Sequence, residues 1–130
     1  MSLADVPESM LPHLIHGVAD LSFNAITITR SSESSGPEIV YVNDAFTQLT
    51  GYPYEEVIGQ TPGMLQGSQT DSAVLKRLDE TVKQGETFHG RATNYRKDGS
   101  SFEMEWKVMP LGEVDGVAHY LAVQREAPMD

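Results

Sequence analysis

The chain has no cysteine and a single tryptophan, and its nine lysines and arginines face nineteen aspartates and glutamates. Without a thiol there is no disulfide, no thiolate nucleophile and no cysteine-based metal or iron–sulfur site. A formal charge of −10 on 130 residues, with the basic residues dispersed, excludes the basic patch on which nucleic-acid binding rests. The acidic excess reads as a solubilising surface. No apolar run approaches the ~20 residues that cross a bilayer, and residues 1–20 lack the basic start and continuous apolar stretch of a secretory leader. The expectation is a soluble, cytoplasmic protein with no membrane or nucleic-acid partner. No nucleophile, base and orienting residue can be assembled, and no glycine loop suited to cradling phosphate is present. An enzyme is not expected. The length suits one domain with one core.

What is present is organised around Ala92 to Val108, ATNYRKDGSSFEMEWKV. Asp98-Gly99 tolerates the positive φ angles of a tight hairpin turn. On the second arm Phe102, Met104, Trp106 and Val108 alternate with Glu103, Glu105, Lys107 and Met109, so the even positions face a core. The same parity on the first arm groups Phe88, Gly90, Ala92 and Asn94, which places a polar amide on an apolar face. Glu103 and Glu105 could suggest acid and base work, but beside Lys107 they read as a solvated edge.

Around this hairpin the elements follow from local signals. Leu11, Leu14, Ile15 and Val18 predict an amphipathic helix over about 12–20, with His13 and His16 at its surface. Residues 24–30 and 38–43 predict two strands separated by a Ser- and Gly-rich loop. Asn43 can cap a helix through Thr50, stopped by Gly51, and Pro53 suits the start of a short helix closed by Gly59. Residues 60–69, with Pro62, Gly63 and Gly67, predict irregular chain. Asp71 opens a helix to about Gln84 with Val74, Leu75, Leu78 and Val82 on one stripe. Asp115-Gly116 marks a second turn, followed by a strand with Tyr120, Ala122 and Gln124 on one side.

Strands, short helices and then three hairpin-linked strands predict an α+β fold: an antiparallel sheet with its helices gathered on one face and a pocket between. Residues 1–22 are expected to form a helical cap and residues 23–127 the domain proper. Leu121 and Val123 face outward where solvent is expected, so the amino-terminal helix or a second copy of the chain should cover them; a homodimer through that face and the helix is the expectation.

Four segments, VNDAFTQLTGY, GQTPGMLQGSQTD, NYRKDGSSF and YLAVQRE, are similar in order and spacing to PAS domains, and among them to the flavin-binding LOV (light, oxygen, voltage) subgroup. The resemblance covers residues 24–126. It implies a five-stranded antiparallel sheet cupping an isoalloxazine ring, with Asn94 and Gln124 bonding the polar edge and Gln66 nearby. Met64, Leu65, Phe88, Met104 and Trp106 are expected to line the site with them. A side-chain amide carries both donor and acceptor, which suits a rim that alternates the two.

Departures from the LOV pattern carry as much information. Where that subgroup has asparagine, cysteine and arginine ahead of LQG, this chain has Thr61, Pro62 and Gly63, so no cysteinyl adduct can form. The two phosphate-holding arginines correspond to Gly63 and Asp79, and an inward asparagine is replaced by Met104. PAS domains that sense redox state through FAD are similar in the proline-containing loop and in an aromatic near Phe88. The resemblance therefore implies a sensory module binding FAD ahead of FMN, with any effector, such as a kinase or cyclase, outside the chain. Other readings stand beside it. Asn94 can cap a strand end in a cofactor-free core filled by Met64, Met104 and Trp106, a dimerisation module. The pocket can take another small ligand. Trp106 can donate an electron to an excited flavin or simply pack. His89 and His119 can ligate haem only with a partner at metal-site spacing, which neither has.

Overall fold

The computed structural model describes residues 2–32 and 36–128. Five antiparallel strands, β1 (Ala25–Arg30), β2 (Glu38–Val42), β3 (Phe88–Tyr95), β4 (Ser101–Val114) and β5 (Val117–Glu126), form one sheet in the order β2-β1-β5-β4-β3. The main helices are α1 (Leu11–Leu21), α2 (Asp44–Thr50), α3 (Tyr54–Val57) and α4 (Ser72–Lys83), with a 3-10 turn at Pro62–Leu65 inside the stretch expected to be irregular. α2 packs against β1, α3 against β2 and α4 against β3 and β4, so these helices lie on one face. The expected α+β architecture is present.

Local chemistry explains the boundaries. The Asn43 side-chain oxygen accepts from Phe46 N at 3.2 Å, capping α2, and from Ile26 N at 2.8 Å. Its amide nitrogen donates to Ala19 O at 2.9 Å, so one buried residue joins α1, β1 and α2. Gly51, at φ 79°, supplies the left-handed stop of α2 that a residue with a Cβ rarely adopts. Asp71 caps α4 by accepting from Ala73 N at 2.9 Å.

The two hairpins differ from one another. Asp115 (φ 53°) and Gly116 (φ 78°) form a two-residue turn with both angles positive. At Asp98-Gly99 only Gly99 is left-handed, and Arg96 N donates to Ser100 O at 2.8 Å, which makes a three-residue loop. Asp98 is kept out of the left-handed region because its carboxylate accepts from Ser100 N at 2.9 Å and from Ser100 Oγ at 2.7 Å.

Apolar burial falls into two clusters. The first unites Ala25, Ile39, Val42, Phe46, Val57 and Leu65; the second unites Phe88, Ala92, Phe102, Met104, Trp106 and Val108, with the α4 stripe packed on it. The even positions of β4 face inward as the alternation requires. β1 does the reverse of what hydrophobicity suggests: Thr27 and Thr29 face the interior, and Ile26 and Ile28 lie behind the sheet, paired with Val123 and Leu121. Of these four only Ile26 is buried, and Ile28, Leu121 and Val123 remain half-buried. α1 does not cover them as a continuous lid, since Leu14, Ile15, Val18 and Leu21 along its stripe remain exposed. None of the described helices is long and apolar enough to cross a membrane.

Candidate ligand-binding site

Between the two clusters lies a cavity of about 640 Å³, within the ~300–1,000 Å³ typical of small-molecule sites. Its floor is the inner face of the sheet: Thr27 and Thr29 from β1, Tyr120, Ala122 and Gln124 from β5, Met104, Trp106 and Val108 from β4, and Asn94 from β3. Its roof is α4, through Leu75, Leu78 and Val82, together with Thr61, Pro62, Gly63, Leu65 and Gln66. An apolar lining with a few placed polar groups is the composition expected of a pocket for a planar, mostly apolar ligand.

Two of the polar groups are buried amides. Asn94 is 4% exposed and Gln124 5%. Asn94 Nδ2 donates to Ala92 O at 3.2 Å, and Gln124 Oε1 accepts from the Thr27 hydroxyl at 2.8 Å. No fully buried side-chain polar atom lacks a partner among the described residues, so Asn94 Oδ1 and Gln124 Nε2 open on the cavity. One is a free acceptor and the other a free donor. Asn94 pairs with Phe102 and Gln124 with Trp106, four residues further along β4. The two amides are thus separated by about 13 Å along the strands and about 10 Å across them. They grip opposite parts of an extended object, not a single atom.

Of the other residues expected at the site, Gln66, Leu65, Met104 and Trp106 line the cavity; Gln66 is exposed at its rim. Met64 and Phe88 are outside the lining. The 3-10 turn rotates successive side chains by about 120°, so Met64 packs against the first cluster beside Leu65. Phe88 is wholly buried behind the wall, its ring centre 5.1 Å from that of Trp106 and 4.6 Å from the Arg77 guanidinium carbon. Met104 and Trp106 border the open space without filling it. Thr27, which orients Gln124, was not legible as a site residue: in AITITR the alternation defines two faces but does not say which one is inside.

The mouth carries Asp79 and Lys83, joined at 2.8 Å. Gly63 and Asp79, the positions of the missing arginines, both line the cavity and neither supplies a cation.

Behind Trp106, on the outer sheet face, Glu105 departs from the expected solvated edge. It is 9% exposed and accepts from Arg125 Nε at 2.9 Å and Nη2 at 2.7 Å, with His89 Nε2 at 2.8 Å and Arg91 at 3.8 Å. The bonds from Arg125 first, then from His89, hold its carboxyl down to about 2. The edge stays polar, but its carboxylate is a cross-strand clamp on β3, β4 and β5. Among the described residues no group of His, Asp and Glu has the arrangement of a metal site.

Residues 24–126 match the PAS domain family. The chain is 37% identical over 98 residues to phototropin-2 of Oryza sativa subsp. japonica, covering 73% of this chain and 11% of that protein. It is 29% identical over 125 residues to a nitrogen fixation regulatory protein of Klebsiella oxytoca, covering 93% and 25%. The solved LOV domain of the Erythrobacter litoralis EL346 blue-light-activated histidine kinase superposes with a TM-score of 0.73 at 30% identity, covering 82% of this chain and 97% of that one. The chain spans between 11% and 42% of the length of such curated relatives. With its fold, its cavity and these likenesses in agreement, the chain belongs to the PAS domain family, close to the LOV domains and without the cysteine that forms their adduct.

Proposed function

We propose that this chain is a sensory module that holds a flavin in the cavity, FAD in preference to FMN, and answers to the redox state of the ring or to blue light without a cysteinyl adduct. The observation that carries this reading is the pair of buried amides, one offering a free acceptor and the other a free donor to the same hollow. A flavin rim bears a ring N–H and carbonyl oxygens, which Asn94 Oδ1 and Gln124 Nε2 complement. A solved light-oxygen-voltage domain described with a flavin analogue, 30% identical to this chain, supports the flavin. When bound, the flavin supplies light absorption and reversible electron uptake.

FAD is favoured by the chemistry of the mouth. A terminal phosphate dianion loses two charge-assisted contacts at Gly63 and Asp79, about 1.5–3 kcal/mol each. The cation that does line the cavity, Lys83, is already engaged by Asp79. A dinucleotide carries its phosphates in a bridge and continues beyond them, so it depends less on those positions. No catalysis is assigned to the chain.

The response is assigned to Gln124. Its orientation is set by the Thr27 hydroxyl, and if the ligand atom facing it changes from acceptor to donor, the amide must turn its oxygen inward. Thr27 can follow, because a hydroxyl both donates and accepts. β5 then carries the change to Arg125 and the outer face.

Purified protein should be yellow, with a structured blue absorption band, and heat-released cofactor should co-elute with FAD on chromatography. FMN in the extract would overturn the preference for FAD. A colourless protein that takes up neither flavin would leave the cofactor-free reading standing, although a cavity of about 640 Å³ left open beside Met104 and Trp106 argues against it. Gln124→Leu should keep the colour while abolishing any redox- or light-driven change in protease protection.

A further inference from the structure

Residues 60–70 cross the inner face from one edge of the sheet to the other. At the β2 edge, Gly59 N donates to Ile39 O at 2.9 Å and Ile39 N donates to Gln60 O at 2.8 Å. Leu65, 2% exposed, anchors this end in the first cluster. At the β3 edge the hold is of another kind. Gly67, Ser68 and Gln69 are exposed and bury no apolar side chain. They are fixed by Gln69 N donating to Tyr95 Oη at 3.0 Å and by the Thr70 hydroxyl donating to Thr93 O at 2.7 Å. The Tyr95 ring lies against Gly67 so closely that a Cβ there would be 2.4 Å from its Cε1. Gly67 is required by this close approach, not by its φ.

We propose that residues 60–70 form a strap over the cavity, hinged at the β2 edge and latched at the β3 edge by Tyr95, and that release of this latch widens the ligand's way in and out beyond the mouth at Asp79 and Lys83. Three observations meet here. The strap supplies the wall made by Thr61, Pro62, Gly63, Leu65 and Gln66. Its first half is held by two backbone bonds to Ile39 and by the buried Leu65 side chain, whereas the half beyond Leu65 is polar and exposed, so the latch is the end that opens first. Tyr95 also follows Asn94 directly in β3: one residue faces the cavity and the next holds the strap on the other side of the pleat. Tyr95 is therefore a positioning residue that closes the wall beside the Asn94 amide.

The inference rests on the cavity being a ligand site, and its test separates the two claims. Trp106 is the single tryptophan, is 6% exposed and lines the cavity, so acrylamide quenching of its fluorescence reports access without any ligand. Tyr95→Phe removes the acceptor for Gln69 N and keeps the ring. Quenching of Trp106 should rise by about fivefold, the factor set by losing one net hydrogen bond. FAD, where it binds, should be released faster by about the same factor, with a smaller change in affinity because entry is also freed. Gly67→Ala should act in the same direction by pushing the Tyr95 ring away, and its effect should vanish in a Tyr95→Ala background, where no ring opposes the methyl group. Circular dichroism melts of each variant exclude global unfolding as the cause. Wild-type quenching in both Tyr95→Phe and Gly67→Ala overturns the latch. Raised quenching with no flavin uptake by any variant retains the latch and removes the flavin reading.

Discussion

The two apolar clusters are of similar size and differ in what completes them. In the first, Phe46, Ile39, Leu65 and Val57 are each 2% exposed or less, and only Leu65 touches the cavity. In the second, Met104, Trp106 and Val108 form cavity wall, so half of its members face the pocket on one side. The first cluster is closed by the chain itself, whereas the second offers three of its side chains to a ligand. The β2 side is thus the fixed frame of the molecule and the β3 side its responsive half.

The largest effect expected from this difference is at Phe46. Phe46→Ala removes a fully buried ring from the closed cluster and should cost about 3–5 kcal/mol, measured by urea unfolding, with the same loss relative to wild type whether or not ligand is added. A loss below ~1 kcal/mol would mean that the first cluster is not the frame. Added volume should then separate the two regions directly. Ala25→Leu overpacks the closed cluster at a cost of about 1–3 kcal/mol. Ala122→Leu points extra atoms into the cavity, where they find room, so it should cost less than that and weaken ligand uptake more than tenfold. Equal destabilisation by the two would erase the distinction. A smaller effect is expected at Thr27: Thr27→Val keeps the shape but removes the donor to Gln124, costing about 0.5–1.5 kcal/mol. It should also make the Gln124 amide respond less sharply to the ligand, read as a reduced change in protease protection.

What was legible in the sequence was set locally, in the frame and in the responsive half alike. Capping by Asn43, the stop at Gly51, the α4 stripe and the inward face of β4 depend on neighbours a few residues away, and periodicity and capping report those directly. Asn94 and Gln124 could be placed on the inner face for the same reason, aided by the likeness of their segments to LOV domains. What could not be read depended on which distant surfaces meet. Thr27 faces inward although Ile26 and Ile28 are the greasier choice, because the cavity selects hydroxyls there. Phe88 sits behind the wall because Arg77 and Trp106 cover it, and no local pattern contains Arg77. Glu105 has the parity of an exposed residue, yet Arg125 and His89 reach it from the neighbouring strands on either side. The closeness of Gly67 to Tyr95 is a contact between residues 28 apart.

The Glu105 clamp offers the finest comparison of the two halves, because it joins β3, β4 and β5, the strands behind the second cluster, whereas β2 is tied to β1 by the more exposed Arg30–Glu38 pair at 3.3 Å. Its carboxyl lies at about 2 in the folded chain against an ordinary 4.5. Between those values the folded form stays charged while the unfolded form has taken up a proton, so unfolding there is favoured as acid is added. The clamp's contribution is complete above about pH 4.5 and is lost as pH falls toward 2. Hydrogen exchange followed from pH 5 to pH 2.5 should show β3, β4 and β5 losing protection before β2 and α2. In Glu105→Gln, which cannot titrate, that part of the acid response should be absent and the two halves should loosen together. If the wild-type halves already loosen together, the division between a fixed and a responsive side does not extend to the outer face, and the clamp only sets the register of three strands.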